Sequence, residues 1–518
     1  MVAAAGASAA LLGAGAGELV AVFTAPASSP FAVVGGTLID LAPPWAKDTA
    51  IALFGTGDKA ALLIGIAIVL MSASALLGVL EDRRPPLGSV VFGVLGVAVG
   101  IVATARPDAG PLAWMPSVAA GLVAAFAVRL LIRLIPDPAV ASPEAPSAVS
   151  REVAAPEPGT GGIDRRRFFL WTGLAATAGI LAAAGGVAVR AGSQAIGVVR
   201  RAIVLPTPSA TAPSVPAGAE LAIAGLAPVV TPNADFYRID TALVVPQVDP
   251  ATWSLRIHGL VEQEVVVTWD ELLALPLEES WTTLTCVSNP VGGDLIGNAK
   301  WLGYPIRLLL ARARPAADAD MVLSRSIDGF SASTPIEILQ DDTVAAILAV
   351  GMNDEPLPVE HGFPVRMVVP GLYGYVSATK WVTELEVTRF DQASAYWTDR
   401  GWSERGPVKL QSRIDVPRRG AGLSAGDTVI AGVAWQQHIG VAGVEVQVDE
   451  RTWQQATLAT AISDDTWVQW SLPWAAASGR HTVRCRATGA RGETQTADIR
   501  PPVPDGATGW DELTVTVS

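Results

Sequence analysis

The chain has 518 residues, which is enough for two or three domains, and 50% of them are hydrophobic while 16% are charged. Its mean hydropathy of +0.39 is high for a soluble protein and indicates a chain anchored in a membrane. The net charge of −13 comes without any basic tract, so the charge pattern excludes the electrostatic footprint of a nucleic-acid-binding protein.

Five apolar stretches are long enough to cross a bilayer, which takes about 20 helical residues. They lie near 3–23, 59–80, 87–105, 113–135 and 168–190. A further apolar run, FAVVGGTLIDLAPPW at 31–45, is too short to span and is predicted to be interfacial or re-entrant. The sequence therefore predicts an α-helical transmembrane bundle of four helices within 1–135, with a fifth transmembrane helix in 164–190.

Arginines at the ends of these stretches predict the orientation of the chain. Arg83 and Arg84 lie between the second and third stretches. Arg129 and Arg133 end the fourth stretch, and Arg165–Arg167 precede the fifth. Positive residues favour the cytoplasmic side, and all three clusters agree with one topology. We expect a multi-pass protein of the cell membrane with a cytoplasmic N-terminus and extracytoplasmic domains after the fifth span.

The predicted spans contain no histidine, and Glu18 is nearly alone as an acid within them. A haem held by two histidines in the bundle is therefore excluded. Transport is disfavoured because ion and proton routes need ionisable groups. The bundle is predicted to be an anchor or a docking surface.

Two Pro-rich segments flank the fifth span. Residues 136–163 are predicted to be a cytoplasmic Pro/Ala-rich linker, and 191–219 an extracytoplasmic linker that separates the following domains from the membrane. Between them, DRRRFFLWTG at 164–173 resembles a twin-arginine export motif. The alternative is that these arginines only follow the positive-inside rule, and their spacing leaves both interpretations open.

Residues 220–404 are predicted to form an α+β domain with much mixed sheet. Short β-like runs such as TWSLRIHGLV at 252–261 alternate with helical patterns such as WDELLALP at 269–276. Thr268 is the predicted N-cap of that helix, because acids follow it in the first turn.

Residues 405–518 contain strand-like runs at sandwich spacing, among them DTVIAGVAW and GRHTVRCRATGA, which predict an all-β immunoglobulin-like sandwich. In the second run Val483, Cys485 and Ala487 share one face of the strand. Cys485 is therefore predicted to be a small core residue.

The stretch TLTCVSNPVGGDLIG holds Cys286, one of only two cysteines in the chain. A packing cysteine normally lies among apolar residues, whereas Ser288, Asn289 and Gly292 suit close approach by a ligand. No nearby pattern indicates a cysteine hydrolase, and a disulfide to Cys485 would have to join two domains. A thiolate acting alone is a suitable ligand for a heavy metal whose other ligands come from a cofactor.

Four motifs then resemble, in family order, the sulfite oxidase family of molybdopterin enzymes. They are NADFYRIDTALVVPQVDPATWSLRIHGLV, TLTCVSNPVGG, NDEPLPVEHG and HGFPVRMVVPGLYGYVSATKW. The tail GVAWQQHIGVAGVEVQVDERTWQQATL resembles the immunoglobulin-like dimerisation domain of that family. The resemblance covers about 225–518 and leaves out the membrane half.

The resemblance implies a Mo-molybdopterin cofactor with Cys286 as the single protein ligand to molybdenum. It implies that His361 and Arg366 bind the pterin phosphate and that Arg238 reaches the oxygens of the substrate. Cys286 and Arg238 are thus the expected catalytic residues. The residues expected to contact the cofactor are Tyr237, Arg238, Ile239, Asp240, His361, Arg366, Ser377, Thr379 and Lys380.

Three stretches depart from the family pattern. Arg238 is followed by Ile-Asp instead of Asn-His, and Asn289 is followed by Pro-Val instead of two arginines. Ser331 or Ser333 stands where the family has an active-site tyrosine. The anion pocket therefore loses positive charge and a phenol, both of which favour a sulfite dianion.

We expect a membrane-anchored, extracytoplasmic oxidoreductase that transfers an oxygen atom to or from a small sulfur oxyanion or a sulfoxide. A separate electron-transfer partner, quinone-linked or a cytochrome, is expected because the sequence shows no ligand set for haem or iron–sulfur clusters. The resemblance of the tail implies a homodimer. The alternative is a non-catalytic membrane receptor or adhesion protein that displays an immunoglobulin-like domain.

Overall fold

The computed structural model describes residues 1–24, 28–41, 58–106, 109–135, 161–192, 195–242, 244–420 and 422–518. The chain divides into two compact units, of which the first holds the N-terminal helices and the second begins at Ala195.

The first unit is helical. Its helices are α1 (Val2–Thr24), α2 (Pro30–Leu41), α3 (Asp58–Arg83), α4 (Leu87–Thr104), α5 (Met115–Arg133) and α6 (Gly161–Gly192). Within the described residues, five helices are long and apolar enough to cross a membrane, so each of the five predicted apolar stretches forms a candidate span. The short run at 31–45 begins as α2, but its last residues, like the linker at 136–160, lie outside the described residues.

Glycines bring α1 close to its neighbours. A Cβ atom added at Gly15 would overlap the carbonyl oxygen of Gly179 in α6, and one added at Gly6 would overlap the carbonyl oxygen of Ser74 in α3. Because apolar side chains gain little by packing against each other within lipid, such small residues let helices associate through close backbone contact.

One acid near the end of α3 is buried and has polar partners. A carboxylate oxygen of Glu81 accepts a hydrogen bond from the amide of Ser89 at 2.7 Å, and the Nε atom of Arg129 lies 3.4 Å from the other oxygen. These contacts tie the α3–α4 turn to the end of α5.

The second unit begins with α7 (Ala195–Ala202) and continues into an α+β region. Its other helices are α8 (Trp269–Ala274), α9 (Ile306–Ala313) and α10 (Ile336–Gln340). Its strands are β1 (Ser254–Gly259), β2 (Val265–Thr268), β3 (Glu278–Thr285), β4 (Ile296–Pro305), β5 (Met321–Ser326), β6 (Ser331–Pro335), β7 (Ile347–Met352), β8 (Glu355–Pro356), β9 (Arg366–Val368) and β10 (Val382–Thr388). Thr268 caps α8 in a reciprocal capping box with Glu271, which confirms the predicted helix start.

These strands form two sheets. The first has the order β2-β1-β10-β5-β6, with β1 and β10 parallel and the other pairs antiparallel. The second has the order β3-β4-β7-β8, with β9 also paired to β7. The predicted mixed sheet is confirmed. In the second sheet, β3 ends directly before Cys286 and β9 begins at Arg366.

The last part of the chain is a β-sandwich. Its strands are β11 (Gln411–Val416), β12 (Gly422–Leu423), β13 (Gly426–Trp435), β14 (Val441–Val448), β15 (Gln454–Gln455), β16 (Thr457–Leu458), β17 (Val468–Ala476), β18 (Gly479–Gly489) and β19 (Asp511–Val517). They form sheets of order β11-β13-β17-β16 and β12-β19-β18-β14-β15. Val483, Cys485 and Ala487 are fully buried between the sheets, which confirms Cys485 as a core residue. Both cysteines are free.

The Pro-rich segment before the α+β region differs from the predicted free linker. The amide of Ser209 donates to the carbonyl of Leu277 at 2.7 Å, and the amide of Leu221 donates to the side-chain oxygen of Gln469 at 2.7 Å. The carbonyl of Gly218 accepts from the amide of Thr460 at 3.1 Å. Because polar side chains and sheet edges supply partners for its backbone, this segment lies along the α+β region and the sandwich.

Candidate functional site

Cys286 follows directly after β3, at the start of a loop that leads into β4. Its amide donates to the carbonyl of Leu295 at 3.0 Å, and the amide of Leu295 donates to the side-chain oxygen of Asn289 at 2.9 Å. Gly292 has a φ of +73°, which favours glycine. The polar and glycine residues of this stretch thus close a tight loop that presents a cysteine.

The thiol of Cys286 is partly buried and has a polar neighbour. Its Sγ atom lies 2.9 Å from the hydroxyl of Ser288. Burial raises the pKa of the thiol, while the Ser288 hydrogen bonds and the charge of Lys380 act in the opposite direction. A metal ion at the sulfur would stabilise the thiolate far more strongly than these neighbours do.

His361 and Arg366 lie on either side of a turn that leads into β9. The Nε2 atom of His361 lies 3.0 Å from the carbonyl oxygen of Asn233, to which it donates. Burial, with the nearby Lys380 and Arg366 charges, lowers the pKa of His361 to about 3, so the ring is neutral. Its other nitrogen, Nδ1, is buried and has no hydrogen-bond partner among the described residues.

Arg366 is a buried guanidinium that contacts carbonyl oxygens. Its Nη1 atom donates to the carbonyl of His361 at 3.2 Å, and its guanidinium lies 5.1 Å from the ring centre of Trp301. Burial lowers its pKa to about 10, and within the described residues no carboxylate forms an ion pair with it. A buried arginine with this environment is suited to bind an anion.

Asp240 joins two further cations. Its Oδ2 atom accepts from Arg238 Nε at 2.9 Å and from Lys380 Nζ at 2.9 Å. Lys380 also donates to the carbonyl of Glu360 at 3.1 Å. Burial lowers the pKa of Lys380 to about 8, although Asp240 opposes this shift. Together with Arg366, these two residues form what we call the cation cluster (Arg238, Arg366 and Lys380), which has Asp240 as its carboxylate.

Tyr237 is buried, and the charges of Cys286 and of Arg366 both act on its hydroxyl. Burial raises the pKa of its hydroxyl, the Cys286 thiolate adds to this effect, and Arg366 opposes it. The ring stacks on Phe236 with 5.3 Å between the ring centres. Tyr237 is thus electrostatically coupled to both Cys286 and Arg366.

Three other residues expected at the cofactor have no free polar side chain. The hydroxyl of Ser377 donates to the carbonyl of Tyr373 at 3.0 Å, and that of Thr379 lies 2.7 Å from the hydroxyl of Ser324. Ile239 has an apolar side chain. The polar side chains of Ser377 and Thr379 thus stabilise the chain locally, and the carbonyl of Thr379 also accepts from the amide of Met367 at 2.9 Å.

The residues at positions where the sequence departs from the family pattern also form hydrogen bonds within the chain. Asn289 closes the Cys286 loop through Leu295, as described above. The hydroxyl of Ser333 donates to the carbonyl of Glu404 at 3.0 Å, and that of Ser331 accepts from the amide of Tyr396 at 3.0 Å. These serines therefore act as supports of β6 in this structure.

Sequence reasoning missed two residues beside this site. Asn233 accepts from His361 through its carbonyl, and its side chain donates to the carbonyl of Met352 at 3.1 Å. Its position at the start of the NADFYRID motif was a usable signal. Trp301, beside Arg366, had no such signal, because a tryptophan in a strand is ordinarily a core residue.

Residues 242–397 match the family described as "Oxidoreductase molybdopterin binding domain". The chain is 30% identical to mitochondrial sulfite oxidase of Mus musculus over 271 residues, which cover 44% of this chain and 49% of that protein. It is 30% identical over 158 residues to the uncharacterized oxidoreductase YuiH of Bacillus subtilis, covering 30% of this chain and 76% of that one.

A solved structure, the sulfane dehydrogenase SoxCD from Paracoccus pantotrophus, aligns with 56% of this chain and 83% of its own chain, at 22% identity and a TM-score of 0.49. The chain spans about half the length of the mammalian sulfite oxidases that it matches.

These matches define an oxidoreductase that binds molybdopterin. The chain belongs to the sulfite oxidase family. Its cofactor is Mo-molybdopterin, and the alternative of a non-catalytic receptor is thereby overturned.

The residues of the site fit this cofactor. A pterin phosphate is a dianion, and the cation cluster offers three positive charges against one carboxylate. The buried Nδ1 atom of His361 lacks a partner among the described residues, as expected where a ligand supplies a hydrogen-bond donor. The soft sulfur of Cys286 is a suitable ligand for molybdenum.

Proposed function

We propose that the chain is a membrane-anchored oxidoreductase whose catalytic domain is extracytoplasmic and transfers an oxygen atom to or from a small sulfur oxyanion or a sulfoxide. Cys286 is the protein ligand to molybdenum. One observation carries the proposal: the Nδ1 atom of His361 is buried without a hydrogen-bond partner among the described residues, beside the buried Arg366, which has no carboxylate partner there.

The residues of the site divide into three roles. The cofactor supplies a metal that changes oxidation state by two electrons and exchanges an oxygen atom with substrate. Cys286 would hold the metal, and Arg366 and Lys380 would hold the pterin phosphate. Because the Nδ1 atom of the neutral His361 ring carries no proton, it would accept a hydrogen bond from a donor group of the cofactor. Arg238, oriented by Asp240, directs the oxygens of the substrate toward the reacting centre.

The charge of the site supports a substrate with less negative charge than sulfite. Arg238 shares its charge with Asp240, and the loop after Cys286 contributes Pro290 and Val291 in place of arginines. A dianion in a water-poor site needs charge-assisted donors, whereas a neutral sulfoxide needs fewer of them. The site is therefore better suited to a neutral sulfoxide than to sulfite, and activity should be measured with both compounds.

The membrane and partner assignments rest on other features. Five candidate spans and the arginine clusters at their ends support a multi-pass anchor with extracytoplasmic catalysis. A quinone-linked protein or a cytochrome is the proposed electron partner. The resemblance of the sandwich to an immunoglobulin-like dimerisation domain supports a homodimer.

Replacement of the thiol tests the central assignment. Wild-type protein from a host that makes the cofactor should contain about one molybdenum atom per chain, and Cys286→Ser should lose most of it, because a hydroxyl is a poor ligand for this metal. Cys485→Ser is the matched control and should retain the metal, since Cys485 is buried in the sandwich. Metal analysis of the purified chains gives the answer, and metal-free wild-type protein would rule out the proposal.

Substrate choice is tested on the same preparations. Loaded wild-type protein should reduce methionine sulfoxide with an artificial electron donor faster than it oxidises sulfite. Loaded protein that turns over neither compound would rule out this substrate class.

A further inference from the structure

The sandwich contacts the strand that precedes Cys286. The side-chain amide of Gln437 donates to the carbonyl of Thr283 at 3.0 Å and to the hydroxyl of Thr285 at 2.9 Å. The amide of Trp467 donates to the hydroxyl of Thr283 at 2.9 Å. Gln437 is 2% exposed, so these bonds form away from solvent. The end of β3 is thus hydrogen-bonded to the sandwich just before the cysteine.

The sandwich also contacts the loop that follows Cys286. Nη1 of Arg413, on β11, donates to the carbonyl of Gly293 at 2.8 Å. The Nε atom of the same arginine donates to Asp415 at 2.7 Å, and Arg413 is 8% exposed. Because the carboxylate fixes the plane of the guanidinium, the direction of the bond to the loop is fixed as well.

The loop also lies close to an acidic side chain of the sandwich at Gly292. A Cβ atom added at Gly292 would overlap a carboxylate oxygen of Asp511, on β19. Asp511 is itself held, because it accepts from the amide of Ile414 at 2.9 Å. The loop therefore fits between two side chains of the sandwich.

We propose that Arg413 is a positioning residue for Cys286, and that the sandwich thereby sets where the thiol lies. The proposal rests on the proposed role of Cys286 as the metal ligand. Groups that orient a metal ligand without touching the metal are a general requirement of precise metal sites. Here the ligand lies on a loop, and Arg413 connects that loop to a strand within a packed sandwich.

The reactivity of the thiol in cofactor-free protein tests the proposal. Arg413→Met should raise the rate at which iodoacetamide alkylates Cys286 about tenfold, because the loop opens more often once a charged hydrogen bond is lost. Cys485 is fully buried and therefore shielded from the reagent, so the measured alkylation occurs at Cys286. The control is Arg486→Met in the same sandwich, where the arginine bonds Glu445 at 2.8 Å, and its rate should stay within about twofold of wild type.

A second variant protects the test against misfolding. Arg413→Lys keeps the positive charge but replaces the two separately directed N–H groups of the guanidinium with one ammonium, so alkylation should again be faster than in wild type. A wild-type rate in the folded protein of both Arg413 variants would overturn the proposal. In loaded protein, the molybdenum electron paramagnetic resonance spectrum of Arg413→Lys should broaden, because the sulfur no longer holds one geometry.

The two proposals fail in different ways. If Cys286→Ser keeps its molybdenum while Arg413→Met speeds alkylation, the ligand assignment fails and the positioning of the thiol stands. If Cys286→Ser loses the metal while the alkylation rate is unchanged, positioning by Arg413 fails alone.

Discussion

Lys380 is the member of the cation cluster whose charge changes in an accessible pH range. Its pKa of about 8 reflects burial, so it is charged below that pH and neutral above it. Arg366, with a pKa of about 10, stays charged through the same range. Anion binding by the cofactor-free site should therefore weaken as the pH rises through about 8.

Sulfate is a suitable probe, because its own charge is constant in this range. Calorimetric titration of cofactor-free protein should show weaker binding at about pH 9.5 than at about pH 6.5. Arg366→Met should lower affinity about tenfold or more at both pH values, whereas Lys380→Met should remove the pH dependence. Lys300→Met is the control, because Lys300 pairs with Glu279 and Asp354 outside the cluster. Equal sulfate affinity at both pH values in wild type would contradict the assignment.

An ion pair between His481 and Asp449 connects two elements of the sandwich, the start of β18 and the turn after β14. His481 Nδ1 lies 2.6 Å from Asp449, and Nε2 lies 2.8 Å from the carbonyl of Ala477. These contacts raise the pKa of His481, with the Asp449 bond as the largest cause. Burial alone would raise the pKa of Asp449, but the bond to His481 lowers it overall.

The pH dependence of this pair follows from the directions of the two shifts. The stabilisation from His481 is fully present below its ordinary pKa of about 6.5 and is lost as the pH rises through its raised folded value. His481→Gln should therefore cost stability near pH 5.5, by less than about 1 kcal/mol because solvent screens the pair, and almost none near pH 9. Thermal unfolding of the full chain in detergent at both pH values measures this; a larger cost at the higher pH would contradict it.

The close packing of α1 against α6 should contribute to the stability of the helical unit. Gly15→Leu should destabilise this unit by about 1–3 kcal/mol, because the new side chain has no space beside Gly179. Gly173→Leu on α6 is the matched control, since a Cβ added there meets nothing within 4 Å. Thermal unfolding in detergent should separate the two variants, and equal transition temperatures would show that this contact does not hold the helices together.

Across the whole molecule, the features that could be predicted from the sequence are those set by local patterns of residues. The long apolar helices, the N-cap at Thr268 and the burial of Cys485 follow from hydropathy, capping chemistry and strand alternation, which act within a few residues. The motifs that hold Cys286, His361 and Arg366 were recognisable because ligand chemistry restricts their residue types.

Contacts between distant segments were not predictable. Arg413 and Gly293 are separated by 120 residues, and nothing in either stretch indicates the other. The Pro-rich segment at 205–218 likewise has the composition of a linker, yet its backbone finds partners that only the tertiary fold supplies. Proline content predicts stiffness and the absence of helix, but not whether the chain lies against another surface.

That segment has a consequence for the order in which the chain is completed during synthesis. The carbonyl of Gly218 accepts from the amide of Thr460, which leaves the ribosome much later. Contacts of such high sequence separation form late and slow the folding of β-rich domains. The first extended part of the second unit must therefore wait, without these partners, until nearly the whole chain has been made, and a chain truncated before the sandwich leaves it unprotected.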